Sequence, residues 1–472
     1  MCGITGLVVP TGHSIDRESA RKMGEAIKHR GPDSSGEFFF QNVALLHQRL
    51  AILDLSPAGN QPMSTADENL TIIYNGEIYN FKEIRQELVA LGYLFQSGTD
   101  TEVVLNAWLE WGESAALKFN GMFAICVFDK QLGRLWLIRD RFGIKPLYYS
   151  FSSGFLLFGS EQRAINQYSD FNGRLDFDSI AEYFTFQNIL SDGTFNSKIK
   201  LLPSASIAVL DIENWQLKIN KYWDFSFHGM PATRMEDDYI DELEWLLSQS
   251  VNRQLVADVE IGAYLSGGID SATIVSLASH VHADLKTFTV GFDTSKIHGQ
   301  ERNFDESKVA AELARKFNTD HTQFAMTSDD FEQSLDRVID IVEEPRVGQS
   351  YPNFFASRMA AEKVKVVLSG AGGDELFGGY PWRYQGAMEA SNGPDFFGAY
   401  FAQWNRLVPH SEMHTFFKPI QSEIDLNRPI EVFESFFPTA SQSIMNAEMA
   451  LDLCLGFESQ TFLNGLLVVE DK

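Results

Sequence analysis

Hydrophobic positions along the chain follow one rhythm in the first half and another in the second. In the first half, apolar residues recur at helical spacing in three stretches. "SIDRESARKMGEAIKHR" places Ala20, Met23 and Ile27 on one face behind Ser14, which predicts a helix capped at that serine. "YNFKEIRQELVALGY" aligns Phe81, Ile84, Leu88 and Leu91 and stops at Gly92. "DTEVVLNAWLEWG" repeats the pattern with Val104, Ala107, Trp108 and Trp111. Between and after these lie strand-like runs: "NVALLHQRLAIL", "LTIIYN", "MFAICVFD", "RLWLIRD", "KPLYYS" and "GFLLFGS". Hairpin signals such as "DKQLGR" separate several of them. Clustered strands with few helices predict an antiparallel α+β domain over residues 1–210. The stretch ending in "KYWDFSFHGMPATRMEDD" is turn-rich and acidic, and predicts a connecting segment over 211–236. From 237 onward strands and helices alternate: "EIGAYL", then "DSATIVSLASHV"; "KTFTVGF", then "DESKVAAELARKF"; later "DDFEQSLDRVIDIV", "YPNFFASRMAAEKV" and "KVVLSG". That alternation predicts an α/β doubly wound domain with a parallel sheet over 237–472.

Composition narrows the function. The 472 residues suffice for two or three domains, and 44% hydrophobic with 22% charged content describes a globular chain. A net charge of −26 argues against a nucleic-acid partner, since nothing draws a polyanion to such a surface. A nucleotide is still allowed, held by backbone N–H groups and Mg²⁺. The cysteines, Cys2, Cys126 and Cys454, are far apart and odd in number, without disulfide or zinc spacing. No apolar run reaches transmembrane length and no basic leader opens the chain. The expected setting is cytoplasmic, away from membranes, with a homodimer allowed.

The opening "MCGITG" carries the first chemical signal. With Met1 removed, Cys2 holds a thiol and a free α-amine on one residue. That amine titrates near ~7.7–8.0, so part of it is neutral at cell pH and accepts the thiol proton. Alone, this pattern is balanced by the bland reading of a chance cysteine.

"YLSGGIDSAT" carries the second. A strand ends at Leu265, Ser266–Gly267–Gly268 form a tight loop, and a helix starts near Asp270. Two glycines let backbone N–H groups approach an anion, and the helix N-terminus favours negative charge. Asp270 would repel bare phosphate, which suits it to Mg²⁺ beside phosphate. "VVLSGAGGDELFGGY" ends a second strand in the same way, at Ser369 and Gly370, followed by Asp374 and Glu375. Two such loops meet if both leave the carboxyl edge of one sheet, and Asp270 and Asp374 then share a metal ion.

These motifs support a resemblance. "SGGIDS" is similar to the loop of the ATP pyrophosphatases, and with "LSGAGGDELFGGY" it resembles the synthetase domain of glutamine-hydrolysing asparagine synthetases. "MCGITG", "HRGPDSSG", "HQRLAILD", "YNGEIYN", "SGTDTE", "GMFAICVFD" and "RDRFGIKPLYY" resemble the class II, N-terminal-nucleophile (Ntn) glutaminase domain of the same family, in the same order. The resemblance implies an Ntn-type αββα domain followed by the ATP-pyrophosphatase domain. It implies that Cys2 attacks the glutamine side-chain amide, with Asn75 and the N–H of Gly76 as the oxyanion hole. Arg49 would hold the substrate's α-carboxylate, and Asp100, with Glu77, its α-ammonium; Leu50 is also expected to bind glutamine. Asn75 and Gly76 are expected in a strand-to-helix turn. His29 and His47 are read as structural, because the mechanism does not need them. Backbone at Leu265 and Val290 would line the adenine pocket. Ser266, Gly267, Gly268, Asp270 and Ser271 would hold pyrophosphate, with Ser369 and Gly370 nearby. The implied substrates are glutamine, ATP with Mg²⁺, and aspartate or another carboxylic acid, amidated through an acyl-AMP.

The chain departs from the pattern in places. Aspartate-amidating relatives commonly hold a glutamate where this chain has Ala371, and "EEPRVGQSYPN" is unusual in a region that shapes their acceptor pocket. A different acceptor, such as a sugar uronic acid, is one alternative, and a non-catalytic regulatory homologue is another. The end, "FESQTFLNGLLVVEDK", resembles a point short of the family's usual end, so a truncated chain is expected.

Overall fold

In a computed structural model of the chain, the residues described are 1–225, 234–293, 305–344, 350–390, 392–437, 450–451 and 453–459. They fall into two compact units. One takes in Met1–Ala51, Ser56–Ser226 and Glu375–Asp471, the other Ile52–Leu55 and Phe227–Asp374.

The first unit is built on two antiparallel six-stranded sheets. One runs, edge to edge, Lys200–Leu201, Tyr148–Phe151, Leu156–Gly159, Gly3–Val8, Val43–Arg49 and Ser34–Phe40. The other runs Gln216–Lys221, Ser206–Asp211, Arg134–Arg139, Gly121–Asp129, Leu70–Ile78 and Met63–Ser64. Strand alternation sorts the side chains. Val43 and Leu45 join Ile73, Ala124 and Cys126 in the core shared by the sheets. Ala44 and Leu46 face the other way, onto Ala20 and Met23 of the helix Arg17–Ala26 and onto Ile27, which ends it. That helix is capped by Asp16, which accepts from the N–H groups of Glu18 and Ser19, two residues later than the Ser14 expected from sequence. Helix Asp100–Trp111 packs against the second sheet, with Trp108 edge-on to Trp136 at 5.6 Å.

The strand Gly3–Val8 escapes a periodicity reading because two glycines interrupt it. Gly6 is required there: a Cβ would lie 2.3 Å from the Phe158 ring. Gln216–Lys221, read from sequence as connector, pairs along Ser206–Asp211 and extends the second sheet. Helices after Glu375, read as part of the ATP-binding domain, group by their packing contacts with the first unit. Helix Phe177–Phe186 packs with them around Tyr400, Trp404, Phe433 and Phe457. Phe186 stacks on Phe433 at 6.1 Å.

The second unit holds a parallel sheet in the order Asp320–Met326, Lys286–Phe292, Ile261–Tyr264, Val366–Leu368. Counted along the chain, this is order 3-2-1-4, the half-sheet arrangement whose switch point lies between the first and fourth strands. Helices Ile269–Val281, Ser307–Phe317 and Ser350–Ala361 accompany it. Asp320–Met326 was not foreseen, because "DHTQFAM" is half polar and lies at the sheet edge.

Candidate active sites

Cys2 lies just before the central strand Gly3–Val8. Leu50, at the end of the neighbouring strand, engages it twice: its N–H donates to Sγ at 3.4 Å and its carbonyl accepts from the thiol at 3.7 Å. Arg30 Nε donates to the Cys2 carbonyl at 3.1 Å, and its guanidinium pairs with Glu161 at 3.0 Å. Burial pushes the Cys2 thiol up, while the terminal amine of Met1, the Leu50 N–H and Arg49 act against that rise. The positively charged groups around the sulfur thus favour the thiolate, and Asp100 opposes it.

Asn75 and Gly76 lie within the strand Leu70–Ile78, opposite Ala124 and Phe123, and not in a strand-to-helix turn as expected. Unbroken pairing to Gly121–Asp129 holds them in extended backbone. Both polar atoms of the Asn75 amide are buried without a hydrogen-bond partner. A buried amide left unpaired costs ~1–3 kcal/mol. Such a group in a polar pocket marks a place for a ligand atom. Gly76 is needed for close approach: a Cβ would lie 2.1 Å from the Met122 carbonyl oxygen.

Arg49 is buried, its Nη1 donating to the Ser56 carbonyl at 2.8 Å and to Asn60 Oδ1 at 3.0 Å. Gly59 makes room for it, since a Cβ there would stand 2.1 Å from Nη2. Asp100 opens the helix Asp100–Trp111, where Thr99 caps the N-terminus. Its Oδ2 accepts from Tyr74 Oη at 2.8 Å and from the Ile78 N–H at 3.0 Å. Burial pushes the Asp100 carboxyl up against these donors. Glu77 is pushed up to about 8 by burial and by the charge of Asp100, with Lys145 acting in the opposite direction. Asp100 and Glu77 therefore form a crowded acidic pair that gains from a cation. Lys145 Nζ contacts Met1 Sδ, which places an ammonium beside the N-terminus as well.

Both histidines have protein partners. His47 Nε2 faces the Tyr74 carbonyl at 3.2 Å, and burial pushes its imidazole down to about 3. His29 Nε2 lies 2.9 Å from Glu161. Burial would raise Glu161, but the His29 hydrogen bond and the Arg30 charge hold it down at about 2.

In the second unit, Ile261–Tyr264 leads through Leu265–Gly268 into the helix Ile269–Val281. The loop leaves the carboxyl end of the first strand, and Ser369 and Gly370 leave that of the fourth, on either side of the switch point. The two meet. A Cβ on Gly370 would lie 2.5 Å from the Ser271 N, and one on Gly373 would lie 2.4 Å from Asp270 Oδ2. Asp374 offers its backbone N–H to Asp270, while burial and the Asp374 charge push the Asp270 carboxyl up. Ser271 Oγ bonds Ser266 Oγ at 2.9 Å and accepts the Ser266 N–H at 3.0 Å. The Leu265 N–H donates to the Phe288 carbonyl at 2.9 Å, so Leu265 and Val290 sit at the carboxyl ends of adjacent strands. Of "EEPRVGQSYPN", residues 345–349 lie outside the described residues, as does the "LLVV" run near the end.

Sequence reading passed over Tyr74, Gly59 and Lys145. Tyr74 stands next to Asn75 in a motif already singled out, and only its buried hydroxyl reveals a role. The others act at sites distant in sequence, where no spacing rule reaches.

Two protein families match the chain in tandem. The glutamine amidotransferase domain family matches residues 1–223, and the asparagine synthase family matches residues 242–472. The chain is 35% identical to asparagine synthetase [glutamine-hydrolyzing] 1 of Bacillus subtilis, over 80% of this chain and 59% of that protein. It is also 35% identical to putative asparagine synthetase [glutamine-hydrolyzing] 2 of Methanocaldococcus jannaschii, over 80% of this chain and 76% of that one. Against asparagine synthetase [glutamine-hydrolyzing] 3 of B. subtilis the identity is 32%, over 83% and 65%. The chain thus spans about three-fifths of the first relative's length. With two family matches in tandem and 35% identity to a relative of which it covers 76%, the chain belongs to the glutamine-hydrolysing asparagine synthetase family.

Proposed function

We propose that the chain carries out glutamine- and ATP-dependent amidation of a carboxylate, with aspartate as the leading acceptor. The observation that carries the reading is the buried amide of Asn75, unpartnered on both its polar atoms. Such an amide waits for a developing oxyanion, and one donor of that kind is worth about 10²–10³ in rate.

In this reading, Met1 is removed and Cys2 Sγ attacks Cδ of glutamine. The freed α-amine takes the thiol proton and passes it to the departing ammonia, leaving a thioester that water hydrolyses to glutamate. Asn75 Nδ2 and the Gly76 N–H face the tetrahedral oxyanion. Arg49, with Leu50 beside it, takes the α-carboxylate, and the Asp100–Glu77 pair takes the α-ammonium.

In the second unit, Ser266, Gly267, Gly268 and Ser271 cradle the pyrophosphate of ATP, with Ser369 and Gly370 beside it. Leu265 and Val290 flank the adenine. The acceptor carboxylate attacks the α-phosphorus, pyrophosphate leaves, and ammonia then displaces AMP. Asp270 and Asp374 fit Mg²⁺. They are two mutually repelling carboxylates beside a phosphate loop, and Mg²⁺ is commonly held by one or two carboxylates plus phosphate oxygens. When bound, that ion neutralises charge on the phosphates.

Ala371 favours a second reading of the acceptor. Its N–H donates to Ser369 Oγ at 3.1 Å, and its methyl offers nothing that could take a proton from incoming ammonia. A different carboxylic acid, such as a sugar uronic acid, would then be amidated. ATP-to-AMP turnover with aspartate against a panel of acids decides between them. Turnover with aspartate alone removes the second reading. Cys2→Ala should abolish glutamine hydrolysis, and retained hydrolysis would overturn the glutaminase assignment.

A further inference from the structure

We infer that Glu306 occupies the anion seat of the glycine loop and must leave it before phosphate can bind; the inference rests on the nucleotide reading of that loop. The loop N–H groups are already engaged. Ser266 N–H donates to Ser271 Oγ at 3.0 Å and Gly268 N–H to Ser266 Oγ at 3.1 Å. Gly267 N–H, between them, donates to the carboxylate of Glu306 at 2.9 Å, thirty-nine residues away in sequence. The glutamate side chain lies along the glycine. A Cβ on Gly267 would stand 3.1 Å from Glu306 Cβ and 3.3 Å from its Cδ.

The position of Glu306 is held from behind. It precedes the helix Ser307–Phe317, and its neighbour Asp305 anchors that start. Asp305 Oδ2 accepts from Ser307 Oγ at 2.9 Å, and Oδ1 lies 3.4 Å from the Phe292 N–H at the end of a sheet strand. A carboxylate brought by a neighbouring element to a backbone N–H of a phosphate loop presents the charge and the acceptor oxygens that a phosphate brings. The two anions compete for one donor and repel each other across it. Glu306 thus sets the affinity of the loop: it satisfies Gly267 in the resting protein and weakens the hold on pyrophosphate, which eases release of that product.

The test is pyrophosphate binding by calorimetry, in Mg²⁺ buffer, to the full chain and to Glu306→Gln and Glu306→Ala. Glutamine hydrolysis serves as the folding control. Both variants should bind at least fivefold tighter than the parent, and Glu306→Ala should melt no higher, having lost the resting bond. Unchanged or weaker binding in both variants, with glutamine hydrolysis intact, would overturn the inference and make Glu306 a supporting or neutral residue. Absence of pyrophosphate and ATP binding in all three proteins would overturn the nucleotide reading itself, and this inference with it.

Discussion

The Tyr74 hydroxyl donates to Asp100 Oδ2 across 2.8 Å, with both residues buried. This bond ties the strand that carries Asn75 and Glu77 to the first residue of the helix Asp100–Trp111. Removing it leaves Asp100 with backbone donors alone, the Ile78 N–H at 3.0 Å among them, and raises its carboxyl further. A hydrogen bond to a charged group is worth ~1.5–3 kcal/mol. If Asp100 takes the substrate's ammonium as proposed, Tyr74→Phe should raise KM for glutamine about tenfold and leave kcat within a factor of about two, because that contact is the same in ground state and transition state. Steady-state glutamine hydrolysis reads the split. A fall in kcat with KM unchanged would contradict the assignment.

Glu77 gives the site its pH dependence. Burial and Asp100 push its carboxyl up to about 8, against an ordinary value near 4.5. Between those values the folded protein holds a proton that the unfolded chain has released. The contribution of Glu77 to stability is thus present below about pH 4.5 and lost as pH rises through about 8. Melting of the free protein should fall across that window, and Glu77→Gln should flatten the fall. Glutamine binding runs the other way, since an ammonium prefers the ionised pair, and KM should drop as pH rises toward 8.

Asn75→Ala separates function from stability. The amide makes no bond within the protein, so its loss should leave the melting temperature nearly unchanged. The same change should cut kcat for glutamine hydrolysis by about 10²–10³. Thermal melts and kcat on the same preparation check both. A large loss of stability with modest loss of rate would mark a structural amide.

Gly373→Ala acts on the other unit. Its methyl would stand 2.4 Å from the Asp270 carboxylate and displace it from the loop. ATP-dependent AMP formation should fall at least about a hundredfold, the scale of misplacing a reacting group by ~1 Å. Glutamine hydrolysis should persist, since Cys2, Asn75 and Asp100 belong to the first unit.

Much of this was legible in the sequence, and the reasons differ from residue to residue. Strands such as Gly121–Asp129 announce themselves because burial on both faces demands a continuous apolar run. Gly3–Val8 does not, because Gly3 and Gly6 are set by contacts with residues far along the chain. The loop at Ser266–Gly268 is legible because strand, glycines and helix are consecutive. Its meeting with Gly370 and Gly373 follows from strand order, which local sequence does not encode. The acidic pair was legible as two residue types, but the Tyr74 bond and the raised Glu77 carboxyl depend on packing of strand against helix. The grouping of helices beyond Glu375 with the first unit follows from an aromatic cluster centred on Phe433 and Tyr400, invisible in any single window.

Cys2 as an N-terminal nucleophile requires loss of Met1 and a reactive thiol at position 2. Intact mass and peptide mapping of the purified chain, before and after a thiol-alkylating glutamine analogue, test it most directly. The purified chain should lack Met1 and take up one equivalent of analogue, on Cys2, in step with loss of glutamine hydrolysis. Full hydrolysis by a chain that keeps Met1, or labelling at Cys126 or Cys454 in place of Cys2, would contradict it.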